Sequence, residues 1–127
     1  GSVPSAFVRT WRDGGRDAAW VHAAGEIDDT AVARLEQALH RAELRARLVV
    51  LDLRELTSID ASGIEMIARA SVRARRTGGR LVLVRGPAEV DRMFVGTGAS
   101  DSVEIVDLDS VERLLHPLPK TSPGRFV

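Results

Sequence analysis

The sequence contains no cysteine, which excludes disulfides, a thiol nucleophile and any thiolate metal site. It also has no apolar run near the roughly 20 residues that span a bilayer, and no basic start followed by an apolar segment that would mark a signal peptide. The formal net charge is zero, with 18 basic and 18 acidic residues, so no overall charge attracts nucleic acid or an anionic membrane. These absences predict a cytoplasmic protein without membrane insertion.

Aromatic residues are scarce at 4%, which together with the lack of basic excess disfavours a nucleic-acid role. The three histidines, His22, His40 and His116, are too scattered to show a metal-ligand spacing. No phosphate-cradling glycine loop follows a strand, and no general base is evident beside a nucleophile. The sequence therefore predicts neither an enzyme nor a bound cofactor.

A chain of 127 residues is long enough for one domain around a single core. We place that domain at residues 6–116. Residues 1–5 are interpreted as a tag remnant and N-terminal tail, because Gly1-Ser2 resembles a cloning scar. Residues 117–127 contain proline and are predicted to form a flexible C-terminal tail.

The patterning predicts alternating strands and helices. Residues 6–12 and 18–27 are typical of two strands joined by a glycine-containing turn, an antiparallel hairpin. The run LVVLDL at 48–53 is typical of a strand buried on both faces, as in a parallel sheet. Further strands are predicted at 81–84 and 103–106, and helices after Asp28, before Gly78, after Pro87 and at 110–116. The order β-β-α-β-α-β-α-β-α predicts an α/β fold with a mixed, mainly parallel sheet of four to five strands and about four helices, the first strand lying antiparallel at an edge.

The segment from Glu55 to Ala70 carries an excess of polar groups between a strand and a helix. Ser62 and Glu65 fit a capping box, in which the serine only caps the helix. One cap is enough, however, and Asp60 is also present. A helix N-terminus favours an anion, so a phosphate on Ser62 would be tolerated there, although Asp60 would repel it. The segment is chemically suited to be a charge-operated switch.

Three segments of the chain match known sequence motifs. Ser58-Ile59-Asp60-Ala61-Ser62-Gly63-Ile64 is similar to the D-[S/A/T]-S-G-[L/I/V] signature of STAS domains, the anti-sigma factor antagonists and their relatives. Gly25-Glu26-Ile27-Asp28 resembles its G-E-[L/I]-D segment, and GGRLVLVRGPAEVDRMF at 78–94 resembles the stretch that follows. The three segments occur in the right order and spacing, and the resemblance extends over residues 6 to 116.

The resemblance implies a protein-binding switch. In the bacterial antagonists the serine matching Ser62 is phosphorylated by an anti-sigma factor that is a serine kinase. The unphosphorylated form binds this kinase and releases sigma factor, phosphorylation separates them, and a serine phosphatase restores the antagonist. The residues expected to shape the partner surface are Asp28, Asp60, Ala61, Ser62, Gly63, Met93 and Phe94.

Alternatives remain open at several of these positions. Asp28 also suits an N-cap of the first helix, and Asp60 a turn residue that caps its own backbone. Gly63 is expected to allow close backbone approach and to supply a free N–H. The loop from Gly96 to Ser100 is more polar than the family pattern and has a second glycine, which implies a difference in partner or affinity.

Two other functions compete with the antagonist. The same domain serves as a stressosome scaffold subunit or as an accessory subunit of a lipid-transport ATPase, where Ser62 would be a contact or a cap without phosphorylation. A nucleotide-binding protein or enzyme is the third hypothesis, which the lack of a phosphate-cradling loop disfavours. The sequence leaves the oligomeric state, the particular kinase and the sigma factor open.

Overall fold

The computed structural model describes residues 5–13 and 16–114, with side chains from residue 18 to residue 114. The strands are β1 (Ser5–Asp13), β2 (Arg16–Ile27), β3 (Leu48–Ile59), β4 (Arg80–Val84) and β5 (Glu104–Val106). The α-helices are α1 (Asp29–Arg45), α2 (Ala61–Arg76), α3 (Ala88–Gly96) and α4 (Leu108–Leu114), and a 3₁₀ turn covers Ala99–Asp101. Within these residues, the predicted order of strands and helices is confirmed.

The strands form one sheet in the order β1-β2-β3-β4-β5. β1 pairs antiparallel with β2, and every other pairing is parallel. The predicted antiparallel edge strand is confirmed, because a short turn can join only antiparallel neighbours, whereas each parallel pair needs a crossover helix. The parallel strands all end at one edge of the sheet, and the helices that follow them begin there.

The two faces of the sheet are covered unequally. Alternate residues of β2 to β4 point into a large core against α1, α2 and α3, where Leu35, Ile64 and Phe94 have no exposed surface. The other face packs a smaller cluster against α4, centred on Trp20 and Val111. This double coverage explains why the first half of β3 is almost continuously apolar.

β3 is longer than predicted, ending at Ile59 and not at residue 53. Its second half remains paired with β2 across two register shifts, and the Asp60 N–H donates to the Ile27 carbonyl at 3.1 Å. Leu56 and Ile59 point into the core while Thr57 and Ser58 are exposed. Both hydroxyl residues therefore belong to β3, and the prediction that the strand ends at residue 53 was wrong.

The last helix begins at Leu108, two residues before the predicted start at residue 110. Asp107 accepts the first helical hydrogen bonds through its carbonyl, from Ser110 and Val111. The rest of the predicted helix, to His116, and the predicted tail at 117–127 lie outside the described residues, as do residues 1–4 of the predicted N-terminal tail.

Candidate functional site

Asp60 is the single residue that links β3 to α2. Its backbone is extended, and its Oδ1 accepts a hydrogen bond from the Gly63 N–H at 3.2 Å. Asp60 is therefore the N-cap of α2, and the assignment of that role to Ser62 was wrong. The reason is the length of β3: the chain stays paired with β2 up to Asp60, so that helical geometry begins at Ala61.

The Ser62 hydroxyl lies between two carboxylates. It is within hydrogen-bonding distance of Asp60 Oδ1 at 2.7 Å and of Asp29 Oδ1 at 3.0 Å. Asp29 is the first residue of α1 and lies 33 positions away in the chain. The expectation that no base lies beside this hydroxyl was wrong, because two carboxylates touch it. The side chain is only partly buried, so a partner can reach it.

Asp28 caps α1 and has no hydrogen bond to Ser62 among the described contacts. Its Oδ1 accepts hydrogen bonds from the Thr30 hydroxyl at 2.7 Å and from the Thr30 and Ala31 N–H groups at 3.1 Å. The hydrogen bond from the Thr30 hydroxyl is the largest cause that lowers the pKa of the Asp28 carboxyl, followed by that from Ala31. Of the two readings left open, the N-cap is thus observed. The exposed side chain keeps Asp28 available to a partner as well.

Gly63 is buried where α2 starts, against the ends of β2 and β3. A Cβ at this position would lie 2.8 Å from Ile59 Cγ1 and 3.2 Å from Ile27 Cγ2. The close approach predicted for this glycine is therefore present, but it is to the protein's own strands. Its N–H donates to Asp60, so the expectation of a free N–H was wrong.

We expect Gly63→Val to lower the free energy of unfolding by about 1–3 kcal/mol, because the added side chain overpacks the junction. Urea denaturation of both proteins measures this loss. Ala61→Val is the matched control, since Ala61 is exposed two residues earlier on the same helix, and it should change stability by no more than about 0.5 kcal/mol. Equal effects at both positions would contradict a tight fit at Gly63.

α3 presents a different surface from the one expected. Phe94, one of the residues expected to shape the partner surface, has no exposed surface and lies in the core. The Phe94 ring packs in the core beneath α3, whereas Met93 is partly exposed and packs against the core. Val95 is 63% exposed, a feature that sequence analysis missed. Gly98 takes a φ of 78°, which explains the second glycine in this loop.

The segments that meet beside Ser62 carry further exposed carboxylates. The last residues of β2 and β3 and the first turns of α1 and α2 meet at this edge of the sheet. The exposed acidic residues of these segments are Glu26, Asp28, Asp29 and Glu65. These segments contain no arginine or lysine, so they are negatively charged although the whole chain is neutral, and a basic surface would complement them.

Residues 5–13 and 16–114 contain no group of three or more His, Asp or Glu side chains that could hold a metal ion. Over the same ranges, no helix has both the length and the apolar character needed to cross a membrane. His22 lies in β2 and His40 in α1, with no contact between them among the described interactions.

Comparison with known proteins matches residues 14–112 to the STAS domain family. Anti-sigma-B factor antagonists from Listeria monocytogenes and Listeria innocua are each 29% identical over 90 residues, which cover 70% of this chain and 79% of theirs. An anti-sigma factor antagonist from Mycobacterium paratuberculosis has a similar structure, with a TM-score of 0.72 at 19% identity, covering 87% of this chain and 94% of that one. The phosphorylated Bacillus cell fate determinant SpoIIAA gives a TM-score of 0.61 at 15% identity, covering 85% and 99%.

Proposed function

This chain belongs to the STAS domain family, and from that membership we propose that it acts in the cytoplasm as an anti-sigma factor antagonist. With Ser62 unphosphorylated, it binds an anti-sigma factor serine kinase and thereby releases sigma factor. Phosphorylation of Ser62 ends the contact, and a serine phosphatase reverses the modification. The observation that carries the proposal is the accessible Ser62 hydroxyl in the first turn of α2, which lies beside the carboxylates of Asp29 and Asp60.

The switch depends on the size and hydration of the phosphate together with its charge. A phosphate adds about −1.5 to −2 charge at pH 7 to a surface that is already negative. The acidic residues around Ser62 would attract a basic partner surface. The phosphate is larger than the hydroxyl and strongly hydrated, so it would prevent the partner from packing against Ser62. Ala61, Ser62 and Met93 supply the contact surface together with Asp28 and Asp60, while Gly63 and Phe94 hold it in shape.

A capture experiment with four baits tests the proposal. The baits are the unmodified chain, Ser62→Ala, Ser62→Asp and the matched control Ser58→Asp, which adds the same charge at an exposed position of β3. We expect the unmodified chain, Ser62→Ala and Ser58→Asp to capture a kinase that mass spectrometry identifies. Ser62→Asp should retain at least about tenfold less, a loss of about 1.4 kcal/mol.

The captured kinase provides a second measurement. With ATP it should phosphorylate the unmodified chain and leave Ser62→Ala unmodified. Equal capture by all four baits would sink the proposal.

One observation favours the alternative of a subunit in another complex. The Ser62 hydroxyl already has two acceptors, so it has a structural role that needs no phosphorylation. Under this alternative all four baits would capture the same scaffold protein or membrane ATPase, and no kinase would modify Ser62.

A further inference from the structure

The two carboxylates at Ser62 differ in their other contacts. Asp60 also caps α2 through the Gly63 N–H, so it would stay in place without Ser62. Asp29 has no ion pair and no side-chain hydrogen bond other than that with Ser62 among the described contacts. Its carboxylate is exposed and belongs to the first turn of α1. The contact between Asp29 and Ser62 therefore links the start of α1 to the start of α2.

We propose that Asp29 is the residue that makes phosphorylation of Ser62 change the domain itself, in addition to changing its surface charge. The proposal rests on the proposed function only in requiring that Ser62 becomes phosphorylated. In the unmodified state Asp29 shares the single hydroxyl hydrogen of Ser62 with Asp60, and in the modified state its carboxylate repels the phosphate. The first turn of α1 then separates from the first turn of α2.

The chemistry of phosphoryl transfer explains why the contact between Asp29 and Ser62 changes from attraction to repulsion. Ser62 Oγ forms a bond to the γ-phosphorus of ATP while the bond from that phosphorus to the ADP oxygen breaks. The hydroxyl proton passes to an accepting carboxylate, of which Asp60 at 2.7 Å is the nearer, and then to solvent. The resulting ester oxygen has no proton to donate, so the link to Asp29 is lost. A dianion now stands where two carboxylates converge.

Asp28 provides a matched control for Asp29. The two residues are adjacent at the start of α1, both are exposed, and each loses one negative charge when replaced by asparagine. Asparagine caps a helix as well as aspartate does, so Asp28→Asn keeps the cap of α1. Of the two, only Asp29 has a hydrogen bond to Ser62 among the described contacts. Any difference between Asp29→Asn and Asp28→Asn therefore arises from the contact of Asp29 with Ser62 and not from the change in net charge.

The test uses the full chain with phosphoserine incorporated at position 62 during translation, so no kinase is needed. A ³¹P NMR titration gives the second pKa of the phosphate. The N-terminus of α2 favours the dianion and the neighbouring carboxylates disfavour it, so the pKa of the phosphate reflects both, and the comparison between variants isolates the carboxylates. Asp29→Asn should lower this pKa clearly, and Asp28→Asn should lower it less.

Thermal unfolding supplies an independent readout. Phosphoserine should lower the Tm of the parent chain by about 3 °C or more, and Asp29→Asn should remove most of this loss while Asp28→Asn retains it. A phosphate pKa that responds equally to both variants, or an equal loss of Tm in all three backgrounds, would overturn the role of Asp29. Because no partner is present, such a result would leave the antagonist proposal to be decided by the capture experiment.

Discussion

Replacing Phe94 by alanine is expected to lower the free energy of unfolding by about 3–5 kcal/mol. The ring has no exposed surface and lies in the large core between α3 and the sheet. Its removal loses the favourable free energy of burying the ring away from water. It also leaves a cavity that the closely packed surroundings can fill only in part. Urea denaturation followed by circular dichroism measures the loss.

Two controls separate a core role for Phe94 from a surface role. Phe94→Leu keeps an apolar side chain of moderate size and should lose clearly less stability than Phe94→Ala. Val95→Ala, at the exposed neighbouring position, should change stability by no more than about 0.5 kcal/mol. If Phe94→Ala left stability unchanged but reduced partner capture, the side chain would belong to the docking surface, as the family resemblance first suggested.

The order of elements could be predicted from the sequence because it depends on local pattern. The apolar run at the start of β3 and the apolar stripe of α1, which includes Leu35 and Leu39, reflect burial that each element carries in its own residues. The second half of β3 could not be predicted in this way. There the apolar residues Leu56 and Ile59 are separated by exposed polar ones, and pairing with β2 keeps the strand extended.

The site was predictable only where its residues are close in sequence. Asp60 and Ser62 are two positions apart, and their proximity follows from the chain itself. The contact of Ser62 with Asp29 depends on where β2 and β3 each end, which fixes the distance between the starts of α1 and α2. The family signature drew attention to Asp28, but that side chain turns to its own helix, and its neighbour reaches Ser62. The N-cap of α2 is Asp60 and not the predicted Ser62, because β3 extends to Ile59 and the helix begins directly after Asp60.

A buried carboxylate, that of Asp52, was also not predicted from the sequence pattern. Asp52 lies inside the apolar run of β3, and its side chain is only 1% exposed. Arg54 binds both of its oxygens, with Nε at 3.0 Å and Nη2 at 2.8 Å, and the Arg54 N–H donates as well. The Trp20 indole N–H donates at 3.4 Å, and His22 Nδ1 lies 3.5 Å away. A charge can remain inside this strand because it is paired and hydrogen-bonded.

Arg54→Met should therefore lower the free energy of unfolding at pH 7 by about 1–3 kcal/mol, because the Asp52 carboxylate stays buried without its charged partner, although Arg54 itself is 45% exposed. Methionine preserves much of the apolar stem, so that packing changes little. The matched control is Arg85→Met. Arg85 pairs with the more exposed Asp91 and Asp107, and such surface pairs contribute about 0–1 kcal/mol.

The same pair predicts how the effect changes with pH. Burial raises the pKa of the Asp52 carboxyl, but the side-chain and backbone hydrogen bonds from Arg54 and its charge outweigh burial, and the net pKa is lower than usual. A carboxyl with a lowered folded-state pKa stabilises the protein above its unfolded pKa of about 3.9, and this stabilisation is lost as the pH falls through the folded value. Without Arg54, burial dominates and Asp52 takes up its proton at higher pH.

The stability difference between the parent chain and Arg54→Met should therefore be largest near pH 7. It should shrink as the pH falls, first through the raised pKa of Asp52 in the variant and then, below the unfolded pKa of aspartate, as the parent loses its own stabilisation. Urea denaturation at several pH values measures it, and subtracting the results for Arg85→Met removes the general acid response of the other carboxylates. A difference that stays constant or grows as the pH falls would show that Arg54 stabilises β3 by packing. In that case the charge pair with Asp52 would not be the source of the effect.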